Sequence, residues 1–204
     1  MLFNDTYKTI EETSEGTFRD KGSKFVAFAY PLASESELKG IVSNLRSTHP
    51  KANHYCWAFR LSPDRSIFRV NDDGEPSGTA GRPILNTLLS NDLTNIVVVV
   101  VRYFGGTLLG VPGLINAYKK ATQEAVNNSI IIELTINSVY EIRFDHAQMN
   151  EVMKIIKDEE ISIRNQEFNN VCIIKVEIRQ AAQEKILNRF KKINSISLKY
   201  ISTH

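Results

Sequence analysis

The chain has 204 residues, 42% of them hydrophobic and 24% charged, with a formal net charge of +2. That length suits one large domain or two small ones, and so small a charge excludes a protein that coats nucleic acid through its overall balance. No apolar run approaches the roughly 20 residues of a membrane span, and the N-terminal MLFNDTYKTIEE lacks the basic-then-apolar order of a signal peptide. Cys56 and Cys172 give neither a disulfide framework nor zinc spacing, so a reducing cytoplasm is expected.

In chain order, Ser23 to Pro31 reads as a strand carrying Phe25, Val26 and Phe28. Ser34 and Glu37 form a capping box for a helix with Leu38, Ile41, Val42 and Leu45 on one side, which stops at His49-Pro50. His54 to Leu61 is a strand with Tyr55, Trp57 and Phe59 on one face and His54, Cys56, Ala58 and Arg60 on the other. Ile67, Phe68 and Val70 mark another strand, and Ile84 to Leu89 a short apolar segment. Asn95 to Phe104 contains five consecutive valines, the pattern of a central strand buried on both faces. Pro112 opens a helix whose apolar face is Leu114, Ile115, Tyr118, Ala121 and Ala125.

All ten glycines and all six prolines lie at or before Gly113, which predicts two folding units, residues 1–134 and 135–204. The first carries 14 basic and 14 acidic residues, the second 11 and 9. In the second, Tyr140, Ile142 and Phe144 alternate as a strand, and Met149, Val152, Met153 and Ile156 follow helical spacing. Ile161 and Ile163 start a strand, Asn169-Asn170 turns, and Cys172, Ile174, Val176 and Ile178 alternate. Ala182, Ile186, Leu187 and Phe190 are helical, and Ile196, Leu198 and Tyr200 close with a strand. The order β-α-β-β-α-β predicts a ferredoxin-like unit.

Two glycine-rich windows stand out, NDDGEPSGTAGRPIL (residues 71–85) and FGGTLLGVPG (Phe104 to Gly113), with seven of the ten glycines. Such loops can present backbone N–H groups in a concave array that favours an anion. Neither matches the phosphate-binding loop or the dinucleotide fingerprint. Asp72, Asp73 and Glu75 would repel a phosphate unless a cation intervened, and their spacing is not that of a calcium loop. Arg102 ends the valine strand and needs a nearby anion, either a carboxylate of the acidic loop such as Asp72 or Asp73, or a ligand phosphate. The two loops are expected to pack side by side. His54 and Cys56 have the types of a base and a nucleophile but no orienting third group, and read as a partly buried polar pair. Tyr103 and Cys172 read as core residues, and His49, His146 and His204 as surface positions. Arg19, Lys21 and Lys24 form a basic cluster on a solvated edge.

The ordered combination of SKF (Ser23 to Phe25), His54-x-Cys56, DDGEPSGTAGRP (Asp72 to Pro83), VVVRYFGG (Val99 to Gly106) and LLG followed by GLINAY (Leu108 to Gly110, Gly113 to Tyr118) resembles the IMPACT family, specifically its bacterial two-domain YigZ-type members. The resemblance implies an α+β protein. Its N-terminal domain should have the α/β fold of the fourth domain of elongation factor G, and its C-terminal domain should be ferredoxin-like. The resemblance further implies a role near translation, which the eukaryotic members regulate through a protein partner, and it attaches no firm catalytic activity. The chain departs from the pattern in two ways. Pro112 stands where glycine is usual, removing one backbone donor, and the extra N-terminal protein-binding domain of the eukaryotic members is missing, so their partner does not carry over.

Together these readings predict a non-enzymatic cytoplasmic factor that contacts RNA or the ribosome, with no cofactor, metal or catalytic residue. The expected binding surface comprises Lys24, His54, Asp72, Asp73, Glu75, Ser77, Thr79, Arg82, Arg102, Tyr103, Gly105 and Gly106. Two alternatives stand beside it: a metal-assisted hydrolase built on Asp72, Asp73 and Glu75, and a protein-binding regulator that touches no RNA.

Overall fold

The computed structural model describes residues 5–203. His204 therefore lies outside the described residues. The chain divides into two compact units, residues 7–134 and Thr135 onward with Asp5 and Thr6.

In the first unit, β1 (Thr6–Ile10), β2 (Ser14–Asp20) and β3 (Ser23–Pro31) precede α1 (Leu38–Thr48), then β4 (His54–Leu61), β5 (Ile67–Asn71), α2 (Gly81–Ser90), β6 (Ile96–Tyr103), α3 (Gly110–Asn127) and β7 (Ile131–Thr135). Five strands form an antiparallel sheet in the order β2-β3-β6-β4-β5, and β1 and β7 form a separate two-stranded sheet. The valine strand β6 lies at the centre as its composition requires. Val97, Val99 and Val101 pack beneath Leu38 and Leu45 of α1, and Val98 and Val100 beneath the apolar faces of α2 and α3. Helices cover both faces of an antiparallel sheet, so β6 can be apolar at every position without belonging to a parallel sheet.

The capping box forms through a short 3-10 turn: Ser34 Oγ accepts from Ser36 N–H, and Glu37 Oε1 accepts from Ser34 N–H at 3.0 Å. The apolar segment Ile84 to Leu89 is the helix α2. On α3 the expected face is corrected at one position. Ile115 is exposed, and Ala117 takes the buried place beside Tyr118 and Ala121. Pro112 falls in the first turn of α3, where a missing N–H costs nothing.

The second unit holds β8 (Asn137–Phe144), α4 (Met149–Asp158), β9 (Ser162–Phe168), β10 (Cys172–Arg179), α5 (Gln183–Phe190) and β11 (Ser197–Thr203). The sheet order is β11-β8-β10-β9, with the observed pairs antiparallel, the ferredoxin-like arrangement. The alternating residues Cys172, Ile174, Val176 and Ile178 are all buried against α4 and α5. Ile163 departs from its expected place: β9 is the edge strand and all seven of its residues are exposed. Within this unit Arg179 donates to both carboxylate oxygens of Asp5, at 2.6 and 3.0 Å. That guanidinium holds the Asp5 carboxyl below the usual carboxylate range.

Candidate binding surface at one end of the sheet

The start of β3, the start of β4 and the end of β6 meet at one end of the five-stranded sheet, with Lys24 opposite Tyr103 and His54 opposite Arg102. The acidic loop between β5 and α2 folds over that end, and each of its carboxylates has a different internal task.

Asp72 caps α2 from a distance in sequence. Its Oδ1 accepts from the Ala80 and Gly81 N–H groups at 3.1 and 2.8 Å, and its Oδ2 from Gly78 N–H at 2.8 Å. The positive end of the helix therefore already holds an anion. Asp73 accepts from Arg46 at 2.7 Å and from the Tyr55 backbone N–H at 2.7 Å. Its carbonyl oxygen lies 2.8 Å from His54 Nδ1. A carbonyl only accepts, so the His54 proton sits on Nδ1.

Glu75 turns inward and is buried. Its Oε1 accepts from Arg102 at 2.5 Å and from the Tyr118 hydroxyl at 2.8 Å. Of the three loop carboxylates expected near Arg102, Glu75 is the one that pairs with the guanidinium, rather than Asp72 or Asp73. The physical need was read correctly, since Arg102 is 5% exposed and requires an anion, but its choice among three nearby carboxylates depended on which one points inward. The guanidinium also lies 5.4 Å from the Phe25 ring centre and 5.6 Å from that of Phe104.

Cys56 continues this buried chain. Its sulfur lies 2.9 Å from the Asp72 carbonyl oxygen and 3.3 Å from the Tyr118 hydroxyl. Burial pushes both the Cys56 thiol and the Tyr118 phenol well above their ordinary ranges. A thiol so placed stays protonated and is no nucleophile.

The second glycine-rich loop meets the β2–β3 turn at Gly105. Gly105 lies against Gly22 and Ser23 of the β2–β3 turn, and its N–H donates to Ser23 Oγ at 3.1 Å. The acidic loop is tied to the sheet and to α3 through Arg102 and Tyr118. Tyr103 is half-buried, and its hydroxyl lies 2.8 Å from His49 Nδ1. His49 is thus a half-buried partner packed on Phe28, not the surface histidine expected, whereas His146 is exposed. Thr79 Oγ1 donates to the Pro76 carbonyl at 2.7 Å, Ser77 and Gly106 are exposed, and Arg82 is exposed on α2 facing α3.

The fold therefore gathers Lys24, His54, Asp73, Glu75, Arg102, Tyr103 and Gly105 about one end of the sheet, and places Arg82 with Gly78 at the groove between α2 and α3. Arg46, His49 and Tyr118 complete the polar network unseen in the sequence. Tyr118 was legible as an apolar-face residue, but nothing in its spacing marked the hydroxyl as a partner of Glu75. Among the described residues, no three His, Cys, Asp or Glu side chains are grouped to hold a metal ion. The carboxylates of the acidic loop diverge to separate protein partners.

We expect Asp72→Ala to strip the cap from α2 and orphan three N–H groups, costing about 2–3 kcal/mol. Urea denaturation monitored by circular dichroism measures it. A loss under about 0.5 kcal/mol would show that water replaces the carboxylate freely.

The architecture and this network define a two-unit α+β protein whose most polar loop is spent on internal bonds. Residues 21–126 match the sequence profile described as the Impact N-terminal domain, and the chain belongs to the IMPACT family. It is similar over both units to bacterial relatives. The IMPACT family member YvyE of Bacillus subtilis is 29% identical over 92% of this chain and 84% of its own length. The IMPACT family member YigZ of Escherichia coli is 29% identical over 79% of this chain and 80% of its own. A crystal structure described as that of a hypothetical protein superposes with a TM-score of 0.73 at 25% identity, covering 97% of this chain and 98% of that one.

Proposed function

We propose that this protein is a non-enzymatic cytoplasmic factor in the regulation of translation, and that it contacts RNA or the ribosome through the sheet end described above. The observation that carries the reading is the internal use of the acidic loop. Asp72 faces backbone amides, Asp73 faces Arg46, and Glu75 faces Arg102. The repulsion these carboxylates would exert on a phosphate is thereby offset inside the protein. What remains toward solvent is Lys24 with the neighbouring Arg19 and Lys21, the open backbone of the loop after β6, and the exposed ring of Phe104. Cations with an exposed aromatic ring suit a single-stranded nucleic acid, which binds by charge and by stacking.

Membership of the IMPACT family supports the link to translation, and the buried, protonated Cys56 supports a non-catalytic role. Among the described residues, no helix is long and apolar enough to cross a membrane.

The test is binding of a fluorescein-labelled single-stranded RNA across a salt series. Affinity should fall steeply with salt, and Lys24→Ala should reduce the slope of log K against log salt by about 0.7, the value of one phosphate contact. Absence of binding at low salt would sink the reading and leave the protein-binding regulator. The exposed Leu108 and Val111 beside the start of α3 favour that second reading.

A further inference from the structure

Helices α2 and α3 leave a groove between them. On α2, Arg82, Asn86 and Ser90 recur every four residues and share one face. On α3, Ile115 and Lys119 do the same. With Pro83 and Gly78, the latter from the acidic loop, they line a cavity of about 410 Å³. Just past the end of α2, Asn91 Nδ2 donates to Gln123 Oε1 at 3.5 Å, joining the two helices.

Three properties of the groove say what it fits. Its lining contains no carboxylate, while Arg82 and Lys119 stand on opposite walls, both exposed and neither with an ion-pair partner among the described residues. Its floor is apolar, made by Pro83 and by Ile115, which is 38% exposed although it belongs to a largely apolar helix. Its lining contains no aromatic ring, so it offers no platform on which a base could stack. Cations facing across an apolar floor complement a chain that carries both carboxylates and an apolar side chain. A nucleic acid would supply the charge and leave the floor unfilled.

We propose that the α2–α3 groove docks a short acidic segment of a partner protein. One apolar side chain of that segment covers Pro83 and Ile115, carboxylates flank it at Arg82 and Lys119, and the Asn86 amide offers a donor and an acceptor to its backbone. Burial of the apolar side chain supplies affinity, and the cations set the charge and direction of the segment. The inference rests on the lining of the groove alone, so it stands whether or not the sheet end contacts RNA.

Three probes distinguish the occupants by amide chemical-shift titration of the full chain: a peptide of alternating glutamate and leucine, a peptide of the same charge with serine in place of leucine, and an oligouridylate. The glutamate–leucine peptide should shift amides of α2 and α3 and bind at least about ten-fold more tightly than its serine counterpart. Arg82→Glu combined with Lys119→Glu should weaken it by about ten-fold or more, with the melting temperature unchanged because both side chains are exposed. If the charge reversals disturb folding, the Arg82→Ala, Lys119→Ala pair replaces them, and a loss of about three-fold or more is expected. Equal affinity for the two peptides, shifts that spare α2 and α3, occupation of the groove by oligouridylate, or unchanged affinity in the alanine pair would each overturn the proposal.

Discussion

Arg102→Ala should be among the most destabilising single substitutions in the molecule. The variant leaves the Glu75 carboxylate buried with the Tyr118 hydroxyl as its remaining side-chain partner. Breaking a buried pair from one side costs about 3–5 kcal/mol, because the surviving charge has lost both water and its counter-ion. Glu75 would be forced either to take up a proton or to pull the acidic loop outward, which would disturb the Asp72 cap on α2. Urea denaturation gives the loss directly. The double replacement Arg102→Met with Glu75→Leu removes both charges and keeps the volume filled, so it should be less costly than Arg102→Ala alone. A loss under about 1 kcal/mol in Arg102→Ala, or a double variant worse than the single, would show that the pair is not what holds the loop.

Gly105→Ala is expected to cost about 3 kcal/mol or more, at or beyond the upper end for an overpacked site. A Cβ at this position would overlap the backbone of Gly22 and Ser23. Both obstacles are main chain, so no side chain can swing aside. The β2–β3 turn would have to move, breaking the bond from Gly105 N–H to Ser23 Oγ. Since this turn and the loop after β6 frame Lys24, RNA affinity should fall together with stability. An unchanged melting temperature would overturn the close approach of the two backbones.

How much of this was legible beforehand varied with the kind of force involved. The strand β4 and the burial of β6 on both faces followed from period and composition, because an alternating or continuous apolar pattern has few ways to leave water. The capping box of Ser34 and Glu37 was legible because both partners lie within one turn. The strands β1, β2 and β7 were not anticipated. β2 carries Glu15, Gly16, Arg19 and Asp20, which weaken any strand signal. Its glycine is explained only by α3, whose backbone at Glu124 and Ala125 passes so close that a Cβ on Gly16 would overlap it.

The site divides in the same way. The sequence alone determined that Arg102 needed an anion and that the acidic loop could supply one, since a charge at the end of a buried strand cannot stay unpaired. It also determined which residues crowd the two glycine-rich windows. Tertiary structure decided which carboxylate turns inward, that Asp72 closes the helix end a phosphate might have used, and that Gly105 meets the β2–β3 turn. These are pairings between residues 27 to 82 positions apart or between a side chain and a distant backbone amide. Chemical type says that a partner is required, but only the packed sheet and helices set the distances that select it.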